Sequence, residues 1–205
     1  MSKADSVVIL DFETTGLSPD MGDRAIEIGA VRIEHGEITG RFQQLMNPGF
    51  RINSFIEEYT GITNAMLKKS APCNEVMDSF ADFITDYNLI AHNASFDKRF
   101  LDAELSDISR AYSGQFACSM LAARRIYQHS PNHQLGTLVK YTNIPSDGVF
   151  HRALYDAEMT TRLWLKMLDT ISDKYNITGI PFTLMTKLTK TPKTEVHKLL
   201  SRYKA

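Results

Sequence analysis

The chain is poor in cysteine, in long apolar runs and in net charge. Only Cys73 and Cys118 occur among 205 residues, far apart, with no CxxC pair and no Cys/His cluster. That excludes a disulfide framework or a zinc finger and leaves two reduced thiols. No stretch approaches the ~20 apolar residues that a membrane helix needs. The N-terminal apolar run, Val7 to Leu10, is cut off by Asp11 and is far too short for a signal-peptide core. A cytoplasmic protein with no membrane partner is therefore expected. Internal repeats and long low-complexity runs are also missing. His35, His129, His133 and His197 have no motif around them and are expected at the surface, and Trp164 and the methionines fit core or surface filling.

The chain does have enough apolar residues for a core: 43% of the sequence, against 23% charged. The length suits one domain with a short appendage. The net charge of −1 is unevenly spread. Residues 174–205 hold seven lysines and arginines and one glutamate, a net +6, which leaves the body at −7. An acidic body that holds cations and a basic tail that meets phosphates would suit each other, although a solvated tail explains the charge equally well. The expected organisation is a domain over residues 1–173 and a basic C-terminal extension over 174–205.

Hydrophobic patterning gives a strand–hairpin–helix order. Val7–Phe12 reads as a buried central strand ended by Thr14-Thr-Gly16. Ala25–Ile33 alternates as in a half-buried strand, Gly36-Glu37 turns, and Ile38–Met46 returns. Helical spacing appears over Glu75–Tyr87, and Leu89–Ala91 is a short strand. Ser95–Leu105 reads as a helix with Ser95 as N-cap. A strand at Phe116–Ser119 and helices at Met120–Tyr127, Gln134–Thr142 and Ala153–Ile171 follow, with a last helical pattern around Val196, Leu199 and Leu200. This order predicts an α/β fold, a mixed sheet flanked by helices.

The chemistry lies in four acidic residues. Asp11 and Glu13 are two apart at the end of a strand, so both carboxylates point to one face. Like charges held together at a buried edge repel unless something neutralises them, and hard divalent cations prefer such oxygen donors. The spacing alone also fits one carboxylate capping a turn while the other faces solvent. Asp97 follows a strand in Ala91-His-Asn-Ala-Ser-Phe-Asp97, and Asp156 falls in the first turns of the long helix in His151-Arg-Ala-Leu-Tyr-Asp156. Each of these alone could simply complement a helix dipole.

Together, Asp11-Phe-Glu13-Thr-Thr-Gly, His92-Asn-Ala-Ser-Phe-Asp97 and His151-x₄-Asp156 resemble the three motifs of the DEDD exonuclease superfamily, in its histidine-bearing DEDDh subgroup. That group takes in the proofreading epsilon subunits of bacterial DNA polymerase III, exonuclease X, RNase T and oligoribonuclease. The likeness spans about residues 7–168, and AHNASFDKRFL, CSMLAARRIY and HRALYDAE are most similar to exonuclease X. It implies an RNase H-like fold with a five-stranded mixed sheet, one strand antiparallel.

It also implies two divalent ions, Mg²⁺ or Mn²⁺, held by Asp11, Glu13, Asp97 and Asp156, with His151 as general base. At ~100° per residue, His151 lies about 140° off the helical face of Asp156, so it belongs in the loop before that helix. For the terminal nucleotide the resemblance points to Thr14, Thr15, Gly16 and Leu17, with Leu17 wedged between the last two bases. Phe96 would support stacking, Asn93 would bond near the phosphate, His92 would stand behind the ligands, and Ile62 would pack on the terminal base. The segment Tyr59-Thr-Gly-Ile-Thr63 resembles a family segment that often carries histidine before its glycine; here that residue is Thr60, so no contact is carried over to it.

The expected function is metal-dependent 3′→5′ hydrolysis of single-stranded DNA, releasing nucleoside 5′-monophosphates. The alternatives are RNA trimming, as by RNase T or oligoribonuclease, and a non-catalytic polymerase-docking or nucleic-acid-binding module. The tail would meet either nucleic acid or a polymerase or repair protein, and a homodimer is left open.

Overall fold

A computed structural model describes residues 2–147 and 152–203. In chain order the elements are β1 (Val7–Thr14), β2 (Ala25–Glu34), β3 (Glu37–Asn47), α1 (Ser54–Thr60), α2 (Asn64–Leu67), β4 (Ala71–Pro72), α3 (Cys73–Phe83), β5 (Leu89–Ala91), α4 (Ser95–Asp107), β6 (Phe116–Cys118), α5 (Ser119–Ile126), α6 (Leu135–Tyr141), α7 (Ala153–Tyr175), α8 (Phe182–Lys190) and α9 (Val196–Ser201). The strands form one sheet in the order β4-β3-β2-β1-β5-β6. Only β2 runs against its neighbours. It pairs antiparallel with β1 and β3, while β1–β5, β5–β6 and β3–β4 are parallel. The one antiparallel strand is as expected. The strand count is six rather than five, because the two-residue β4 adds a rung beside Met46 and Asn47.

The sheet is buried on both faces. Alternate residues of β1 divide between them: Val7 and Ile9 join the cluster under α5, α7 and α8, whereas Val8, Leu10 and Phe12 join the cluster under α3 and α4. β2 lies between β1 and β3 and is covered on both sides, so it is buried almost throughout rather than half-buried as its alternation suggested. The polar residue that produced that alternation, Glu27, is fully buried.

The C-terminal segment is stitched to the rest. Ala4 N–H donates to Ile180 O at 2.9 Å, Phe182 N–H to Ser2 O at 3.0 Å, and Trp164 Nε1–H to Ala4 O at 2.7 Å. Phe182, Leu184, Met185 and Leu188 of α8, with Val196 and Leu200 of α9, enter the same cluster as α7. Cys73 and Cys118 are both free thiols, and burial pushes the Cys73 thiol up to about 11. Among the described residues no helix is long and apolar enough to cross a membrane.

Candidate active site

The site forms where β1 outruns its parallel neighbour. The β1–β5 ladder ends at Ile9 opposite Ile90, but β1 continues to Thr14 along β2. Asp11 and Glu13 lie on this extension, on the face covered by α7 farther down the strand. Phe12 between them turns into the opposite core, and its N–H donates to Asp97 Oδ1 at 3.2 Å. Asp97 sits in the first turn of α4 and is 2% exposed, and Asp156 sits in the first turn of α7 and is 8% exposed. Carboxylates from β1 and from both flanking helices therefore converge at one end of the sheet.

Asp11, Glu13 and Asp156 form the tight group, with one oxygen from each all within 4.8 Å of one another. Asp97 stands beside them, held to the β1 backbone. The electrostatics follow from this crowding. Burial, then the charges of Asp97, Asp156, Glu13 and Glu27, drive the Asp11 carboxyl well above the ordinary carboxylate range. Burial, then the charges of Asp156, Glu27 and Asp97, push Glu13 up to about 8, against the opposing pull of Arg152. Burial pushes Asp97 up to about 7, against the hydrogen bond from Phe12 N–H that favours its charged form. Oxygen donors this close, in a pocket that disfavours their charge, fit a hard divalent cation, which relieves the repulsion.

A buried glutamate paired with a partly exposed arginine ties each of the two helices to β2. Glu27 Oε1 and Oε2 accept from Arg152 Nη2 at 2.9 Å and Nε at 3.2 Å, and Oε2 also accepts the first N–H of α7, from Ala153, at 3.2 Å. Gln43 Nε2 adds a fourth bond at 2.9 Å. Glu104 of α4 accepts from Arg24 Nε at 2.9 Å and Nη2 at 2.7 Å, and from Ala25 N–H at 3.1 Å. α7 has no side-chain cap of its own, so Glu27 supplies one from the neighbouring strand. Gly29, opposite Asp11 on the ladder, completes the seat: a Cβ there would lie 2.0 Å from Leu154 N and 2.2 Å from Ala153 C. Neither these pairs nor the close approach was legible in the sequence. A lone Glu inside the apolar strand Ala25–Ile33 was the available signal.

The group lies in a cleft of about 720 Å³ lined by Asp11, Phe12, Glu13, Thr14, Thr15, Gly16, Leu17, His92, Phe96, Asp97 and Asp156. Asn53, Phe55, Ile56, Tyr59, Thr60 and Leu135 also line it. Leu17 is 76% exposed at the rim. Its loop is pinned at the base by Asp23, which accepts from Ser18 N–H at 2.9 Å and from Thr15 Oγ1 at 3.2 Å. Gly16 leaves room for this carboxylate, since a Cβ would fall 2.3 Å from Asp23 Oδ1 and displace it.

Two candidate residues stand elsewhere. Ile62 is fully buried with Ile26, Ile52 and Leu67 and does not line the cleft. Asn93 is exposed and outside the lining; its φ of 68° turns the chain from β5 into α4. His151 lies outside the described residues. Ser95 is the first helical residue of α4, not its cap. His92 bonds Ser119 Oγ at 2.9 Å and His133 O at 3.0 Å, and burial lowers it to about 4, so it is neutral and structural at working pH.

Residues the motifs did not indicate are Phe55 and Tyr59, one turn apart on α1. Their rings stack 5.9 Å apart at 12°, opposite the carboxylates. Burial, then Glu13, Asp156 and Asp11, raise the Tyr59 phenol, so its hydroxyl lies within the field of the acidic group.

The fold and this site define an exonuclease: the chain belongs to the exonuclease family, whose model matches residues 8–164. It shares the RNase H-like fold of the solved exonucleases it resembles. A DNA polymerase III PolC-type of Bacillus subtilis (strain 168) is 38% identical over 173 residues, covering 83% of this chain and 12% of that protein. The corresponding protein of Caldanaerobacter subterraneus subsp. tengcongensis is 34% identical over 166 residues, again 12% of its length. The chain thus spans about one eighth of these curated relatives. Exonuclease X in complex with 5′-overhanging duplex DNA superposes with a TM-score of 0.68 at 25% identity, covering 89% of this chain and 99% of that one. The nuclease domain of 3′hExo, a DEDDh family member bound to rAMP, gives 0.69 at 22% identity over 80% of this chain and 92% of its own, a likeness of fold.

Proposed function

We propose that this protein removes nucleoside 5′-monophosphates one at a time from the 3′ end of single-stranded DNA, as a replication-linked proofreading or repair nuclease. The observation that carries this reading is the packing of Asp11, Glu13 and Asp156 within 4.8 Å at the floor of a cleft whose rim is apolar. The DNA preference draws on the DNA polymerase relatives and on the DNA-bound likeness of exonuclease X.

Asp11, Glu13, Asp97 and Asp156 would hold two Mg²⁺ or Mn²⁺ ions. Bound there, such ions supply charge neutralisation at the scissile phosphate and lower the pKa of water. The chain's own residues place the strand. Leu17 inserts between the last two bases, and the stacked Phe55–Tyr59 pair offers a face to the terminal base, a contact open to any base. Thr14, Thr15 and Gly16 line the path of the terminal sugar and phosphate. His151, just before α7, takes the proton of the attacking water as its oxygen bonds to phosphorus. The P–O3′ bond breaks, the 3′-oxygen stays with the shortened strand and takes up a proton, and the 5′-monophosphate leaves.

Digestion of 5′-labelled single-stranded DNA, matched RNA and duplex, with Mg²⁺, Mn²⁺ or chelator, tests the reading. A ladder shortening from the 3′ side, fastest on single-stranded DNA and abolished by chelator, is expected. Faster loss of RNA would move the protein to the RNA-trimming class, and digestion in chelator would overturn the metal assignment.

A further inference from the structure

Away from the cleft, the packing of α8 and α9 onto α5 and α7 creates a second concavity of about 440 Å³. Ile171, Val196 and Leu200 belong to the buried core beneath it, and the partly buried Ile126 packs against that core. Its charged walls are Arg125, Lys174 and Lys193, with His129 and His197 between them. Among the described residues no carboxylate lines it. In a chain of net charge −1 this grouping is not the background composition. The one glutamate of the segment, Glu195, pairs with Lys198 at 3.5 Å.

The groove is built rather than incidental. Arg125 Nε donates to Thr191 O at 2.5 Å, and Gln128 Nε2 donates to both Arg125 O and Lys193 O at 3.1 Å. Tyr175 forms one wall, with Lys174 Nζ 5.6 Å from its ring and the His197 ring 5.7 Å away. These contacts hold cations from α5, α7 and the segment after α8 facing one hollow.

The same groove adjoins the cleft. Tyr127, next to Gln128, accepts from His133 Nε2 at 3.1 Å, and His133 O meets His92 Nε2 at 3.0 Å. His92 and Leu135 are cleft residues. One loop, 127–134, therefore forms the ridge between the two hollows. The ridge itself lies in the positive field: after burial, Arg124 and Lys193 contribute to lowering His133.

We propose that this groove is a second nucleic-acid site, which grips backbone phosphates of the same single strand upstream of the nucleotide being removed. This rests on the reading of the substrate as a strand and not on the chemistry of the cleft. An acidic body repels a polyanion, so a cation-lined hollow one loop away from the acidic centre gives the strand a place to be held. Such contacts are indifferent to base sequence, as a trimming enzyme requires.

The test is binding of labelled single-stranded DNA of roughly 20 nucleotides to the full chain over a salt series, in chelator so that no turnover occurs. Wild type is compared with the double variant Lys174→Gln/Lys193→Gln and with Lys174→Arg/Lys193→Arg. The glutamine variant is expected to bind more weakly, with the slope of log affinity against log salt reduced by about 1.4, at roughly 0.7 for each phosphate of a single strand that is no longer neutralised. The arginine variant is expected to keep the wild-type slope. Hydrolysis of a dinucleotide, too short to reach the groove, should be the same for all three proteins. An unchanged slope in the glutamine variant overturns the proposal, as does an equal loss on the dinucleotide. Should wild type hydrolyse nothing, the proposed function falls, while the slope still decides the groove.

Discussion

Glu27 stands directly opposite Glu13 on the β1–β2 ladder, yet the two carboxylates do different work. Glu13 faces Asp11 and Asp156, whereas Glu27, fully buried, takes Arg152 and the first N–H of α7. Removing Glu27 leaves Arg152 and a helix terminus without their partner. Arg152 is 41% exposed, which softens the loss. Glu27→Ala is expected to cost about 2–3 kcal/mol in chemical denaturation, and Glu27→Gln less. Calorimetric titration of Mg²⁺ or Mn²⁺ should show weaker metal binding in both, because Asp156 is carried on the turn that Glu27 fixes.

Asp11 faces the charges of Asp97, Asp156, Glu13 and Glu27. Asp11→Asn is expected to lower hydrolysis on the order of 10³-fold, through loss of metal-derived stabilisation. The same change should raise the metal-free melting midpoint by about 2–4 °C, equivalent to roughly 1 kcal/mol in a protein of this size. Thermal scans in chelator read this directly, and a lower midpoint would count against crowding as the source of the raised carboxyls.

The pH dependence of the metal-free protein follows from the same shifts. Glu13, ordinarily near 4.5, reaches about 8, and Asp97, ordinarily near 3.8, reaches about 7. The folded state therefore binds more protons than the unfolded chain between those limits, and stability falls as pH rises through them. His92 works the other way: it is lowered to about 4 from 6.5, so its contribution grows from pH 4 and is complete near 6.5. Between pH 6.5 and 8 the carboxyl effect is expected to dominate. Melting midpoints in chelator should decline across that window, and saturating divalent cation should flatten the decline.

Under the proposed function Phe55 meets the strand and not the reacting atoms. Phe55→Ala is expected to raise KM for single-stranded DNA about tenfold, at ~1.4 kcal/mol for one stacked base, with kcat changed far less. Steady-state kinetics separate the two, and a loss confined to kcat would assign the ring a different task.

His151→Ala is expected to slow hydrolysis by about 10²–10⁴-fold while leaving the metal-induced rise in melting midpoint intact. Loss of that rise along with the rate would make His151 part of the metal shell instead of the base.

The parts of this molecule legible in its sequence are those in which neighbours along the chain do the work. β5 falls at the expected Leu89–Ala91, and α7 begins at Ala153 as its pattern predicts. The two-residue spacing of Asp11 and Glu13 placed both on one face. The seven-residue α1 is not evident from apolar spacing, although Asn53 caps it, accepting from Ile56 N–H, and Gly61 ends it in the left-handed region. α8 is hidden because its Thr and Lys residues mask the spacing of Phe182, Met185 and Leu188. Glu27 is beyond any local reading: its partner in the α7 cap is 126 residues away, and only folding makes a strand glutamate into a helix cap. The stacked pair on α1 escapes for the same reason, since nothing local says that α1 overhangs the end of β1.

The bare backbone at Gly29 governs how the carboxylate centre comes into being. The opening turn of α7 rests where any side chain at that position would collide, so the third acidic arm is seated directly on β2. The fold itself sets three carboxylates within 4.8 Å of one another. Under the proposed function, the choice of strand then falls to the cleft rim, where Leu17, Phe55 and Tyr59 stand, and not to the sheet.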